Sequence, residues 1–276
     1  MRQGERVSDP TLVRALEERA KALRRHVLTM ASNGQYVHLG GSMSIADLMA
    51  ALFFHFLVVE EEERPKDHFI LSKGHAVHAF HACLAELGKV ESSEFSTLGR
   101  MGTRLAGHPS LKAPLVEFAT GSLGHGLSLG IGIALADRLD GLDSRTVVML
   151  GDGELQEGSV WEAALCAPRL GVRSLLAIVD RNGFQAGAAV DDVLPLDPLE
   201  EKWKSFCWNT QVIDGHDMGA ILAALERFPA EQGPTVIIAN TSKGRGVPAV
   251  EGQTRAHFTS LSDEEVREAL ERLEVG

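Results

Sequence analysis

The segment Val147-Val-Met-Leu-Gly151-Asp152-Gly153-Glu154-Leu-Gln-Glu157-Gly158 sets a carboxylate at the end of an apolar run, between two glycines. A second apolar run ends in Ile178-Val179-Asp180-Arg181-Asn182-Gly183-Phe184, which puts Asn182 thirty residues after Asp152. If the two runs are neighbouring parallel strands, both side chains present hard oxygens where open α/β sheets bind ligands. Magnesium takes about six oxygens and usually shares its shell with phosphates. Asp152, the amide oxygen of Asn182, a backbone carbonyl and two diphosphate oxygens meet that demand. Gly153 lets a phosphate approach the backbone near a helix start. Gly-Asp-Gly alone is also a common turn, so the downstream Asn strengthens the metal reading.

Eleven histidines are present. His38, His75, His108, His125 and His216 lie beside or near glycines in predicted turns, where an imidazole is exposed above a strand end. Such rings can donate to a phosphate or a developing oxyanion and move protons near neutral pH. His55, His78 and His81 fall inside predicted helices and read as structural, as do His26 and His68.

These groups need a scaffold. Leu12, Leu16, Ala20, Leu23 and Val27 recur at helical spacing, predicting a helix over 10–31 with Asp9 as N-cap and Pro10 at its first position. Further helices are expected over 44–56, capped by Ser44, and over 75–87, 124–139, 156–170, 197–206 and 217–228. A terminal helix over 262–273 opens with a Ser262…Glu265 capping box. Strands are expected over 67–71, 146–150, 174–179, 210–213 and 235–239, and a loop over 99–114. The glycines of 121–132 would be costly in an exposed helix, so the helix they enter is expected to be buried or interfacial. Alternation of this kind predicts an α/β fold, a parallel sheet with helices on both faces, as one domain over 1–276.

The net charge of −11 argues against nucleic-acid or membrane-surface binding. No apolar run reaches the ~20 residues that span a bilayer, and the polar start, residues 1–10, is unlike a signal peptide. Cys83, Cys166 and Cys207 are far apart, read as small buried residues, and suit a reducing cytoplasm.

Gly-Asp-Gly followed about thirty residues later by Asn resembles the thiamine-diphosphate enzymes, and Gly-Asp-Gly-Glu-Leu-Gln-Glu-Gly with Trp161-Glu162-Ala resembles transketolase. So do Met43-Ser-Ile-Ala-Asp-Leu-Met-Ala, Phe69-Ile-Leu-Ser-Lys-Gly-His75-Ala, Gly107-His108-Pro109 and Thr120-Gly121-Ser-Leu-Gly. Lys202-Trp-Lys-Ser-Phe-Cys-Trp, Asp214-Gly-His-Asp and Thr241-Ser-Lys-Gly-Arg-Gly-Val complete the series in order. The resemblance implies the thiamine-diphosphate-binding fold, with thiamine diphosphate and Mg2+ as cofactors. It implies transfer of a two-carbon ketol unit from a ketose, or ketose phosphate, to an aldehyde. Metal binding falls to Asp152, Asn182 and the Phe184 carbonyl, and cofactor contacts to Gly121, Leu123, Gly153, His75 and His257. His38, His75 and His108 take catalytic places near the substrate. Glu157 and Glu162 match acidic interface residues, and His216 is read as structural. His125 stands where the family usually carries Gln.

The family's pyrimidine-activating glutamate comes from a second domain that no motif here matches. The resemblance is therefore to the N-terminal subunit of a split transketolase. It implies a separate C-terminal subunit as partner, in an α2β2 heterotetramer. Subunits of 2-oxoacid dehydrogenases and 1-deoxyxylulose-phosphate synthase share Gly-Asp-Gly…Asn, but the combination of Gly-His-Pro, Gly-Ser-Leu-Gly and Ser-Lys-Gly-His favours transketolase. A non-catalytic partner retaining the fold is the alternative from another class.

Overall fold

The first helix, α1 (Pro10–Ala31), starts as its sequence dictates: the Asp9 carboxylate accepts from the Thr11 N–H at 2.8 Å. Leu16, Ala20, Leu23 and Val27 form its buried stripe. This computed structural model describes residues 9–32, 35–59, 67–229 and 233–275. Residues 1–8 of the polar start, and the final Gly276, lie outside the described residues.

Residues 39–56 depart from expectation. In place of one helix capped by Ser44 there are α2 (Leu39–Ser44), α3 (Ala46–Ala51) and a wide π-type turn at Leu52–Phe56. Ser44 caps nothing, because its hydroxyl lies 2.8 Å from a carboxylate oxygen of Asp180 and 3.1 Å from the Gly41 carbonyl. A buried carboxylate must find donors, and this one takes the hydroxyl. Strand β1 (His68–Leu71) follows, then a 3₁₀ turn at Gly74–Ala76 and α4 (Val77–Glu86). Residues 99–114 are loop, as expected.

Next come α5 (Gly126–Asp140), β2 (Thr146–Gly151), α6 (Gly158–Cys166), β3 (Leu175–Arg181), the short α7 (Val190–Val193) and α8 (Leu199–Ser205). The last elements are β4 (Asn209–Asp214), α9 (Met218–Glu226), β5 (Thr235–Asn240) and α10 (Asp263–Val275). Helix α6 starts later than the sequence suggested, because Gly153–Gln156 folds as a 3₁₀ turn. The predicted capping box is present: Ser262 N donates to the Glu265 carboxylate at 2.8 Å, and Glu265 N to the Ser262 hydroxyl at 3.3 Å.

Among the described residues the strands form one five-stranded parallel sheet in the order β1-β2-β3-β5-β4. Alternate residues enter two cores. Val147, Met149, Leu176 and Ile178 pack with residues of α1, α3, α4 and α9; Val148, Leu150, Ala177 and Val179 pack with residues of α5, α6 and α8. Strands buried on both faces read as unbroken apolar runs, which is why they were visible in the sequence. Of the cysteines, Cys83 is buried, whereas Cys166, ending α6, and Cys207, at φ 63° in the turn after α8, are exposed. Helical and turn positions that face outward thus overrule the buried reading for two of the three.

The small residues of α5 have a local reason. A Cβ on Gly130 would come within 2.4 Å of a Val148 methyl, so the glycine lets α5 lie directly on β2. Gly130→Ala is expected to cost about 1–3 kcal/mol through overpacking, read as a lower midpoint in urea unfolding. At the start of β1, His68 Nδ1 lies 2.6 Å from Glu117 and Nε2 3.2 Å from Asp137. The hydrogen bond to Glu117 raises the His68 pKa, against partial desolvation. A raised folded-state value makes this contribution full below the unfolded pKa and lost as pH rises through the folded one. The stability gap between the wild type and His68→Gln should therefore be larger at pH 6 than at pH 9, and a pH-independent gap in urea titrations would contradict it.

Candidate functional site

Parallel register places Gly151 opposite Asp180, so the segments after β2 and β3 leave the sheet side by side. Asp152 is 2% exposed, and its oxygens accept from Gly153 N at 2.8 Å and Gly183 N at 2.6 Å. Gly183 makes this donation from φ +81°, a conformation that favours glycine. Burial, and then the neighbouring Asp180 charge, push the Asp152 pKa up to about 6, against those two backbone bonds.

Asp180 lies beneath. It is fully buried and ion-paired to Lys73, and it also accepts from Ser44, Thr241 and, at 2.7 Å, the amide nitrogen of Asn182. Turning that nitrogen inward leaves the Asn182 oxygen facing away, where it accepts from Phe184 N at 3.1 Å. Despite its burial, the Lys73 charge holds the Asp180 pKa below the ordinary carboxylate value.

Glu154 organises the opposite wall. Its carboxylate accepts from Ser72, from Gly124 N at 2.9 Å and from Gly151 N at 3.1 Å. It thereby ties the loop carrying Gly121 and Leu123 to the end of β2. Burial raises its pKa. Behind Phe184 and Gln185, Lys243 Nζ donates to their carbonyls at 3.1 and 3.2 Å and lies 3.3 Å from His257. Burial, and then Lys73, lower its pKa to about 8.

A third group consists of imidazoles. His38 is 5.7 Å from His75, 5.4 Å from His108 and 5.4 Å from His257, ring centre to ring centre. Desolvation leads in every case, lowering His38 and His257 to about 4, His75 well below its ordinary value, and His108 as well. For His38 the His108 charge adds to burial, for His75 that of Lys73, and for His257 that of Lys243. Neutral rings each carry one donor and one acceptor, so the cluster can move a proton without holding a charge. The buried Nδ1 of His38 has no hydrogen-bond partner among the described residues.

Asp152, Asn182, Glu154, Lys73 and the four imidazoles line one cavity of about 590 Å³, with Asp180 and Lys243 buried outside its lining. Asp152, Gly153, Asn182 and Phe184 line one part of it, His38, His75, His108 and His257 another, and Gly121 and Leu123 a third. Every residue singled out for the site thus reaches the same space. His125 does not line it; it is exposed, beside the Leu123 carbonyl at 3.0 Å. His216 holds the scaffold instead, accepting from Ser242 N at 2.9 Å and lying 2.8 Å from Asp47. Gly153 differs from its sequence reading in one respect: a Cβ there would meet Gln185 at 2.8 Å, so the close neighbour is a side chain of this chain.

Sequence reasoning assigned no role to Lys73, Lys243, Asp180, Glu154 or Gln185. One signal was available for the lysines. The tripeptide Ser-Lys-Gly occurs twice, at 72–74 and 242–244, each time just after a strand.

Residues 16–276 match the family described as transketolase, thiamine diphosphate binding domain. A subunit of the apulose-4-phosphate transketolase of Phocaeicola vulgatus is 34% identical over 270 residues, covering 95% of this chain and 96% of the relative. The 6-deoxy-6-sulfo-D-fructose transketolase subunit SqwG of a Clostridium species is 36% identical, covering 94% and 96%. Among solved structures, transketolase from Leishmania mexicana superposes with a TM-score of 0.87 at 25% identity, over 94% of this chain and 41% of that one. On this extent of match the chain belongs to the transketolase family, as a transferase subunit built on the thiamine-diphosphate-binding domain.

Proposed function

We propose that the cavity holds the diphosphate of thiamine diphosphate together with Mg2+, and that the chain catalyses ketol transfer with a separate pyrimidine-binding subunit. The observation that carries this is the convergence of a buried carboxylate, an amide oxygen and four neutral imidazoles on one space. The donor set suits the metal. Among the described residues Asp152 has backbone N–H partners but no basic side chain bonded to it, and Asn182 and the Phe184 carbonyl add neutral oxygens. Among the described residues no cluster of three or more His, Cys, Asp or Glu side chains forms a metal site. The remaining ligands must then come from phosphate and water, the usual arrangement for magnesium.

When bound, thiamine diphosphate supplies a carbanion that adds to the ketose carbonyl and carries the two-carbon unit. Around it, Gly121 and Leu123 face the ring system, and His75 and His257 reach the diphosphate end beside Lys73 and Lys243. His38 and His108 stand where a sugar carbonyl or hydroxyl would lie, ready to donate or accept a proton. The domain spans residues 1–276, and the partner contributes the glutamate that activates the aminopyrimidine. Relatives of nearly this length are named as subunits, and the chain spans 43% of the length of a bovine transketolase-like protein. Two copies of each chain make the complete enzyme, with exposed Glu157 and Glu162 at the interface. Unpaired cysteines suit the cytoplasm, and no described helix is long and apolar enough to cross a membrane. Its substrates are a ketose or ketose-phosphate donor and an aldehyde acceptor.

The decisive experiment titrates thiamine diphosphate and Mg2+ into the chain purified with its partner, by calorimetry. Wild-type binding should require the metal and be abolished by a chelator. Asp152→Asn should weaken it by roughly 10–100-fold or more. Equal affinity in the variant, or metal-independent binding, would remove the reading.

A further inference from the structure

Val37 and Thr259 pair as an isolated antiparallel bridge, with N–H···O distances of 2.9 and 3.0 Å in the two directions. Side chains alternate along extended backbone, and the bridge residues point inward: Val37 is 0% exposed and Thr259 5%. Their neighbours Tyr36, His38 and Phe258 therefore share the opposite face. The ring contacts agree, since Phe258 lies 4.8 Å from His38 and 5.5 Å from Tyr36. Exposure rises along the row, from half-buried His38, which lines the cavity, to Phe258 at 53% and Tyr36 at 62%. The row thus leads outward from the cavity.

We propose that Tyr36 and Phe258 form an aromatic subsite at the cavity mouth, which binds the sugar's carbon chain beyond the transferred two-carbon unit. This rests on the reading of the cavity as a ketose site. Large exposed aromatics are rare in this chain: among the described residues they are Tyr36, Phe258 and Phe118, and two of the three stand together here. Flat apolar faces match the C–H faces of a sugar, and the Tyr36 hydroxyl can exchange a hydrogen bond with its hydroxyl groups. The nearby cations have partners: Lys73 pairs with Asp180, Lys243 with the carbonyls of Phe184 and Gln185 and with His257, and Arg255 with Glu265. What this rim offers is therefore contact with carbon rather than charge. A donor with no chain beyond its third carbon never reaches it, whereas a six-carbon ketose must cross it.

The test compares Tyr36→Ala and Phe258→Ala with the wild type, each purified with the partner subunit, using hydroxypyruvate and a six-carbon ketose as donors. The subsite requires KM for the ketose to rise about 3- to 10-fold, the scale of one aromatic contact, with hydroxypyruvate kinetics unchanged. Equal losses on both donors would mean that the rings act only through His38 and would overturn the subsite. So would unchanged kinetics on both. Loss of co-elution with the partner would reassign the face to subunit contact. A wild-type complex that accepts hydroxypyruvate but no ketose would sink the subsite alone; one inactive on both donors would sink the cavity reading itself.

Discussion

The carboxylate of Asp180 is the point from which the site is built. It is fully buried, an unfavourable position for an anion unless every lone pair is occupied. Lys73 arrives from the turn after β1, Ser44 from the end of α2, Thr241 from the end of β5, and Asn182 from its own strand. Four separate stretches of chain are thereby fixed relative to one another around one group. Because breaking such a pair leaves an uncompensated buried charge, typically costing about 3–5 kcal/mol, these segments are held in one arrangement.

Much of the surrounding chemistry follows from that arrangement. Asp180 orients the Asn182 amide, and its charge helps to raise the pKa of Asp152. Lys73, held in place, adds its positive charge beside His75, which burial already keeps neutral. The close packing of α2 serves the same end. A Cβ on Gly41 would sit 3.0 Å from His75 Nε2 and 3.3 Å from Lys73 Nζ, so this turn of helix lies against both side chains only because it has no side chain there. His75 therefore owes its charge state first to burial, and the turn that carries it is fixed by the Lys73–Asp180 ion pair.

The sequence made the strands, the parallel sheet and the strand-end residues legible because each depends on local pattern. Val147 to Leu150 is an apolar run whatever surrounds it, and Asp152 follows it by connectivity alone. Long-range choices were less legible. Whether Ser44 caps a helix or serves a carboxylate 136 residues away depends on a contact that no window of sequence contains. The same holds for Glu154, which reads as one more acid in an acidic motif until Gly124, Gly151 and Ser72 are seen to converge on it. Tyr36 and Phe258 are 222 residues apart, and only the bridge at Val37 and Thr259 makes them neighbours. The repeated Ser-Lys-Gly was a usable local cue, since each copy turns a lysine inward at a strand end.

Charge balance at the strand ends bears on the metal of the proposed function. Asp152 and Glu154 line the cavity and Asp180 is buried behind it, three carboxyl groups against the two buried cations Lys73 and Lys243. Lys73 is committed to Asp180, and Lys243 to two backbone carbonyls. Adding a diphosphate to this set brings more negative charge toward Asp152, whose pKa is already raised by burial and then by the neighbouring Asp180 charge. At low dielectric such like charges repel strongly. Two remedies exist: protonate Asp152, or bring in a cation with the diphosphate. Protonation would leave the phosphate oxygens uncompensated. Under the proposed function, a divalent cation held by Asp152 and Asn182 would answer both demands at once, so cofactor and metal would be expected to bind together, each poorly without the other.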